Sequence, residues 1–219
     1  MIQTVSMKRL LPLLAILLVF FGCAQSQDCP ENINKLPMYG KLSNLKKCKE
    51  QIAFDNDFIA LVDKQYKKRE QGADHMVMRG WQYLRSQKLD TAMMRFNQAW
   101  LLDSTNYQIY WGYGDLLGMQ KLFKQSIPYF EIALKINSKD AKLWQDVSTT
   151  YGNVFYETRD KKYLDLAINS LKKAIALDPK NPNLYGQLTA AYSYVMQKDS
   201  AQKYLKLTDK LDPNAVNQK

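Results

Sequence analysis

Cys23, Cys29, Cys48 and the single histidine, His75, are the residues of this 219-residue chain best suited to covalent, redox or metal chemistry. A metal site needs several donors at short spacing. The cysteines are widely separated and His75 has no second ligand close to it, so no metal is expected. Hydrolytic constellations are missing as well. The chain has no G-x-S-x-G, no H-E-x-x-H, no glycine loop of the phosphate-cradling kind, and no Cys–His pair with a third member. Asp and Glu pairs fall on positions that read as solvated helix faces. The expectation is a protein that is not an enzyme and uses no cofactor.

Each cysteine has another reading. Lys8 and Arg9 precede an uncharged apolar run over residues 10–21 that ends in Gly22 and Cys23, the charged, hydrophobic, small-residue order of a secretory signal. The run is too short to span a bilayer, and Met7 is a natural start for the pattern. Gly22-Cys23 resembles the lipobox of bacterial lipoproteins, although Phe20 and Phe21 stand where that family has Leu and a small or β-branched residue. The resemblance implies a lipidated Cys23 as the mature N-terminus. It also implies an anchor in a bacterial membrane, the outer one, facing the periplasm. Cleavage after Ala24, giving a soluble periplasmic or secreted chain, is the alternative. With Cys23 lipidated or removed, Cys29 and Cys48 remain as an even pair in a compartment that permits disulfides, either bridged or as two free thiols. Residues 24–41 are expected to be a polar tether.

Composition bounds the partners. Hydrophobic residues make up 46 % and aromatics 12 %, enough for a packed core and too much for a disordered chain. The 31 Lys and Arg against 21 Asp and Glu give +10; without Lys8 and Arg9 this is about +8. The lysines are spread over the whole chain, with local runs at Lys46, Lys47, Lys49 and at Lys64, Lys67, Lys68, Arg69, as on solvated helix faces. No nucleic-acid motif accompanies them, so no nucleic-acid partner is expected.

The elements that must position these residues follow from an internal period near 34 residues, which means stacked helix pairs. Units fall at residues 73–106, 107–140, 141–181 and 182–215, the third seven residues longer than the others. Gly80, Tyr83, Ala92, Phe96 and Ala99 mark the first. Tyr110, Gly114, Leu117, Ser126, Phe130 and Ala133 mark the second. The third has Trp144, Val147, Tyr151, Ala167, Leu171, Ala174 and Pro179, and the fourth Tyr185, Leu188, Tyr192, Ala201, Leu205 and Pro213. On these residues the chain resembles the tetratricopeptide repeat family. The resemblance implies an all-α, right-handed solenoid of about four stacked antiparallel helix pairs. Residues 42–72 are expected to supply two capping helices, over 42–54 and 58–70, and the insertion to lengthen the loop within residues 155–162.

In that family the first helices of the units line a groove that holds an unidentified partner protein or peptide. Its geometry points Val77, Trp81 and Arg85, then Trp111, Asp115 and Met119, then Gln145, Thr149 and Asn153, and finally Tyr194 into the groove. Trp81 and Trp111 are equally explained as packing between repeats. Some relatives clamp a terminal carboxylate with Lys, Asn, Asn, Lys and Arg. The matching positions here are Val77, Trp81, Gly112, Lys142 and Asp146, so only Lys142 fits and that mode is set aside. The expected function is an exported scaffold or adaptor at the cell envelope. The alternatives are a self-assembling structural lipoprotein, with a homodimer through its last helix, and a binder of an anionic polymer through the Lys-rich faces.

Overall fold

The computed structural model describes residues 29–215; the export segment and Cys23 lie outside them. Nine α-helices follow in chain order: α1 Lys49–Gln65, α2 Arg69–Arg85, α3 Leu89–Leu102, α4 Tyr107–Met119, α5 Phe123–Ile136, α6 Ala141–Thr158, α7 Lys161–Leu177, α8 Pro182–Tyr194 and α9 Lys198–Leu211. Among the described residues there is no strand. The closest packing is within the pairs α2–α3, α4–α5, α6–α7 and α8–α9, each pair then stacking on the next. The result is a helical solenoid.

One set of local interactions recurs along it. Asn106, Asp140 and Asn181 sit in extended backbone just before α4, α6 and α8. Each side chain accepts from the amide two residues on, which caps the helix start. Four residues after each cap stands an aromatic with a polar hydrogen. Tyr110 donates to the carbonyl of Ser104, Trp144 to that of Ser138 and Tyr185 to that of Pro179, at 2.8, 2.9 and 3.0 Å. The aromatic therefore fills space between units with its ring and satisfies an inter-unit carbonyl with its tip. The family pattern of Trp or Tyr at this place thus has a hydrogen-bonding reason.

Small residues meet large ones between helices. The Phe96 ring of α3 lies against both Gly80 of α2 and Gly112 of α4; a Cβ at Gly112 would sit 2.3 Å from Phe96 Cζ. Phe130 of α5 does the same against Gly114. In the third unit Ser148 takes the glycine place, and its hydroxyl donates to the Ala167 carbonyl at 2.9 Å. A small polar group is tolerated there because it finds an acceptor.

Two expectations about the N-terminal part are corrected, and one alternative is resolved. Residues 42–54 and 58–70 do not form two helices: α1 runs continuously from Lys49 to Gln65, and α2 begins at Arg69. The stretch 24–41 is not a free tether beyond Cys29. Residues 33–43 form a strap of tight turns that lies on α3. Ile33, Pro37, Met38 and Gly40 are buried, and Met38 joins the core cluster that holds Tyr113 and Phe96. Met38 and Tyr39 take left-handed backbone, a conformation costing on the order of 1 kcal/mol per residue; burial of Met38 offsets it. A disulfide joins Cys29 to Cys48 (Cα–Cα 5.1 Å), so the strap is closed onto the start of α1, and the thiols are not free. Gln51 reinforces the join by donating to the Pro30 carbonyl at 2.8 Å and accepting from the Cys48 amide at 3.2 Å.

The insertion in the third unit does not lengthen the loop. It lengthens the helices: α6 has 18 residues against 13 in α4, and α7 has 17 against 14 in α5. Only Arg159 and Asp160 connect them, Arg159 in left-handed backbone and Asp160 capping α7. Helical propagation satisfies each added backbone group internally, which a longer loop cannot do.

Candidate functional site

The first helices α2, α4, α6 and α8 form one face of the stack, and the neighbours on this face also touch one another, α2 with α4 and α4 with α6. An aromatic seam crosses it. The Trp81 and Trp111 rings meet edge to face at 5.3 Å, Trp81 rests on Phe96 at 5.5 Å, and Tyr107 stacks on Trp111 at 6.3 Å. Both tryptophans are half-buried. They do pack between repeats, and each keeps part of its surface on the open face.

Polar groups from the next unit complete the seam. The Trp111 indole N–H donates to Asp146 Oδ2 at 3.1 Å, and the Lys142 ammonium meets Asp146 Oδ1 at 2.9 Å. The Tyr107 hydroxyl donates to Asp140 Oδ2 at 3.0 Å, and the Asn106 amide to Asp74 Oδ1 at 3.0 Å. Apart from the Lys142–Asp146 pair within α6, partners in these contacts are 32 to 35 residues apart, one repeat. Asp115, one turn after Trp111 on α4, lies close enough to Asp146 for their charges to interact. Burial, then the Asp146 charge, pushes its pKa up to about 8, while Lys142 and the Trp111 N–H act in the opposite sense.

Two recesses flank the seam. On the N-terminal side Asp74, Met78, Trp81, Arg85 and Gln108 surround a cavity of about 340 Å³. On the C-terminal side, between α6, α7 and α8, an apolar cavity of about 400 Å³ is lined by Gly152, Phe155, Leu164, Ala191 and Tyr194 among others. Tyr194 is exposed; its ring packs edge to face on Phe155 at 5.2 Å, and Arg159 donates to its hydroxyl.

Most of the residues expected in the groove lie along this face. Arg85, Met119 and Thr149 are exposed there, and Gln145 and Asn153 half-buried. Val77 is the correction: at 2 % exposure it is a core residue, because the face of α2 that carries it is turned into the core cluster, and it only edges the N-terminal recess. Three contributors were not expected: Asp146 and Lys142, considered only as clamp positions, and Tyr107. The signal for Asp146 was its place one repeat after Trp111. Away from this face, Cys29, Cys48 and Glu50 come together, but the two sulfurs are bonded to each other, so they form no metal site.

No protein-family model matches the sequence, and no curated protein is detectably similar to it. Solved structures are. The chain superposes on MamA with a TM-score of 0.57 at 19 % identity, covering 66 % of this chain and 81 % of that one. It superposes on PilF of Pseudomonas aeruginosa with 0.58 at 18 %, covering 67 % and 64 %. A thermophilic TPR protein of Thermus thermophilus gives 0.56 at 18 %, covering 66 % and 79 %. The helix pairs, their caps and these superpositions define a tetratricopeptide-repeat fold.

Proposed function

We propose that this chain is an exported scaffold that holds a segment of a partner protein on the face built by α2, α4, α6 and α8. The observation that carries this reading is the seam itself. Two tryptophans, a tyrosine and paired aspartates from three successive units reach a solvent-open surface bordered by two cavities. Half-buried Trp and Tyr are residue types that anchor interfaces.

The placement at a bacterial envelope rests on the charged, apolar, Gly22-Cys23 order, with lipidation at Cys23. The Cys29–Cys48 disulfide fits an oxidising compartment. The disulfide fixes Cys29 to the folded body, so a lipid on Cys23 would keep Cys29 within roughly 20 Å of the bilayer, the reach of six extended residues.

Photocrosslinking in cells from a probe amino acid at Gln145 tests the reading. A captured protein is expected that is lost when Trp81→Ala and Trp111→Ala are combined, with a probe at exposed Lys173 on α7 failing to capture it. Equal capture from both positions, or capture indifferent to the tryptophans, contradicts it. Labelling with an alkyne fatty acid is expected in the wild type and absent in Cys23→Ser; equal labelling rejects the anchor.

A further inference from the structure

We infer that the apolar cavity between α6, α7 and α8 takes a large apolar side chain of the partner segment, while Arg159 at its edge holds the carboxylate of an Asp or Glu beside that side chain. This rests on the face being the docking surface and specifies what docks there. It also gives the insertion of the third unit a role.

The insertion supplies most of the cavity's aromatic lining. α4 and α8 have 13 residues each and α6 has 18, and all three start from the same kind of side-chain cap. The additional residues of α6, 154–158, therefore extend its C-terminal end by roughly 7 Å. Phe155 and Tyr156 lie in this added stretch and Arg159 ends it. Tyr194, the last residue of α8, packs on Phe155.

The cavity suits a bulky apolar group. Its volume of about 400 Å³ falls in the range of ligand pockets. Phe155, Tyr156 and Tyr194 line it together with the small residues Gly152, Ala190 and Ala191, and no charged side chain does. A Cβ at Gly152 would meet nothing within 4 Å, so the space beside it is unfilled. Tyr156 and Tyr194 are 68 % and 55 % exposed. Charge is kept away as well: α8 has no charged residue and α6 has none between Asp146 and Glu157, in a chain of which 24 % is charged. Open apolar surface of this kind marks interaction sites.

Arg159 supplies the charge. Its guanidinium lies over the Tyr156 ring, 4.7 Å from the centroid, and donates to the Tyr194 hydroxyl, so it bridges two residues of the lining. Both contacts are with uncharged groups, and among the described residues Arg159 makes no ion pair. A guanidinium already held by stacking, with donors left over, takes a carboxylate at little further ordering cost. The chain carries +10, so its overall field also draws an acidic segment. At roughly 3.5 Å per extended residue, neighbouring side chains of one segment reach both places.

Selection of random dodecapeptides displayed on phage against the full-length chain tests this. Enriched peptides are expected to share a large apolar residue, Phe, Leu, Met or Trp, next to or one residue away from Asp or Glu. Gly152→Leu, which fills the cavity from a position where a Cβ is unobstructed, should weaken the best synthetic peptide about tenfold or more. Arg159→Glu should weaken it by a similar factor and shift preference to the same peptide with lysine in place of its acid; a merely structural role for Arg159 predicts no such exchange. Circular dichroism establishes that each variant is folded. If Arg159→Glu is not, the lysine-substituted peptide decides, since the wild type should bind it about tenfold more weakly. Enriched peptides without an acidic residue overturn the inference, as do peptides unmoved by both substitutions yet lost with Trp81→Ala and Trp111→Ala; either leaves the docking face standing. Self-association in light scattering that Gly152→Leu abolishes makes a second copy the occupant and likewise overturns it. No enrichment, or peptides indifferent to all four substitutions, overturns both.

Discussion

The Tyr113 hydroxyl donates to Asn97 Oδ1 at 2.7 Å, and both residues are fully buried. Asn97 in turn donates its two amide hydrogens to the carbonyls of Asn34 and Leu36, each at 2.9 Å. A tyrosine in the first helix of one unit is thereby tied, through an asparagine in the second helix of the unit before, to the N-terminal strap. Replacing Asn97 by Ala leaves a phenol and two carbonyls unpaired in the interior. Urea unfolding is expected to show a loss of about 2–4 kcal/mol. Tyr113→Phe, which orphans one acceptor only, should lose less.

The disulfide secures the other end of that strap. Cys29 and Cys48 are 19 residues apart, and a loop of that size corresponds to about 3 kcal/mol of lost chain entropy in the unfolded state. Reduction, or paired Cys29→Ser and Cys48→Ser, should lower the unfolding midpoint accordingly. Amides of residues 33–43 should exchange faster while those of α6 to α9 stay unchanged.

Asp115 makes stability depend on pH in an unusual direction. Its folded pKa of about 8 lies above the ordinary 3.8. Between those values the folded protein keeps a proton that the unfolded chain gives up. Stability therefore falls as pH rises from about 4 to about 8 and levels off beyond. Asp115→Asn cannot ionise, so its thermal midpoint should stay flat over this range and exceed the wild type most at the alkaline end. Parallel slopes for the two proteins would remove Asp115 as the cause.

Glycines separate packing from binding. At Gly112 a Cβ meets the buried Phe96 ring at 2.3 Å, so Gly112→Ala should cost about 2 kcal/mol or more by overpacking. At Gly152, inside α6, a Cβ meets nothing within 4 Å. Gly152→Ala should therefore stabilise by roughly 0.5–1 kcal/mol, while narrowing the apolar cavity and weakening the partner. Chemical unfolding and a binding assay on the same two variants read both effects.

The repeat was legible because its positions are fixed by local needs that recur. A cap at Asn106, Asp140 and Asn181, an aromatic donor four residues on, and a small residue opposite Phe96 or Phe130 each leave a mark at the repeat spacing. The strap left none. It is non-repetitive, and what fixes it, Asn97 and the Met38 side chain, reaches across 61 and 63 residues in the case of the asparagine. Single insertions are also illegible in outcome: seven extra residues in the third unit suit a loop or two longer helices equally well until the packing of α6 on α7 is known. The candidate face was read from family geometry, which named Trp81, Trp111 and Asp115. It missed Asp146 because that residue's role depends on the Trp111 N–H in the neighbouring unit. Val77 was misplaced because a groove position and a core position differ by one step around the same helix.

Hydrogen–deuterium exchange on the complex with the crosslinked partner tests the docking face most directly. Side-chain docking along α2, α4, α6 and α8 should slow exchange in those helices, most of all around Trp81, Trp111 and Asp146, and leave α3, α5 and α7 as they are in the free protein. Protection concentrated on α3, α5 and α7, or on the N-terminal strap, would contradict the account.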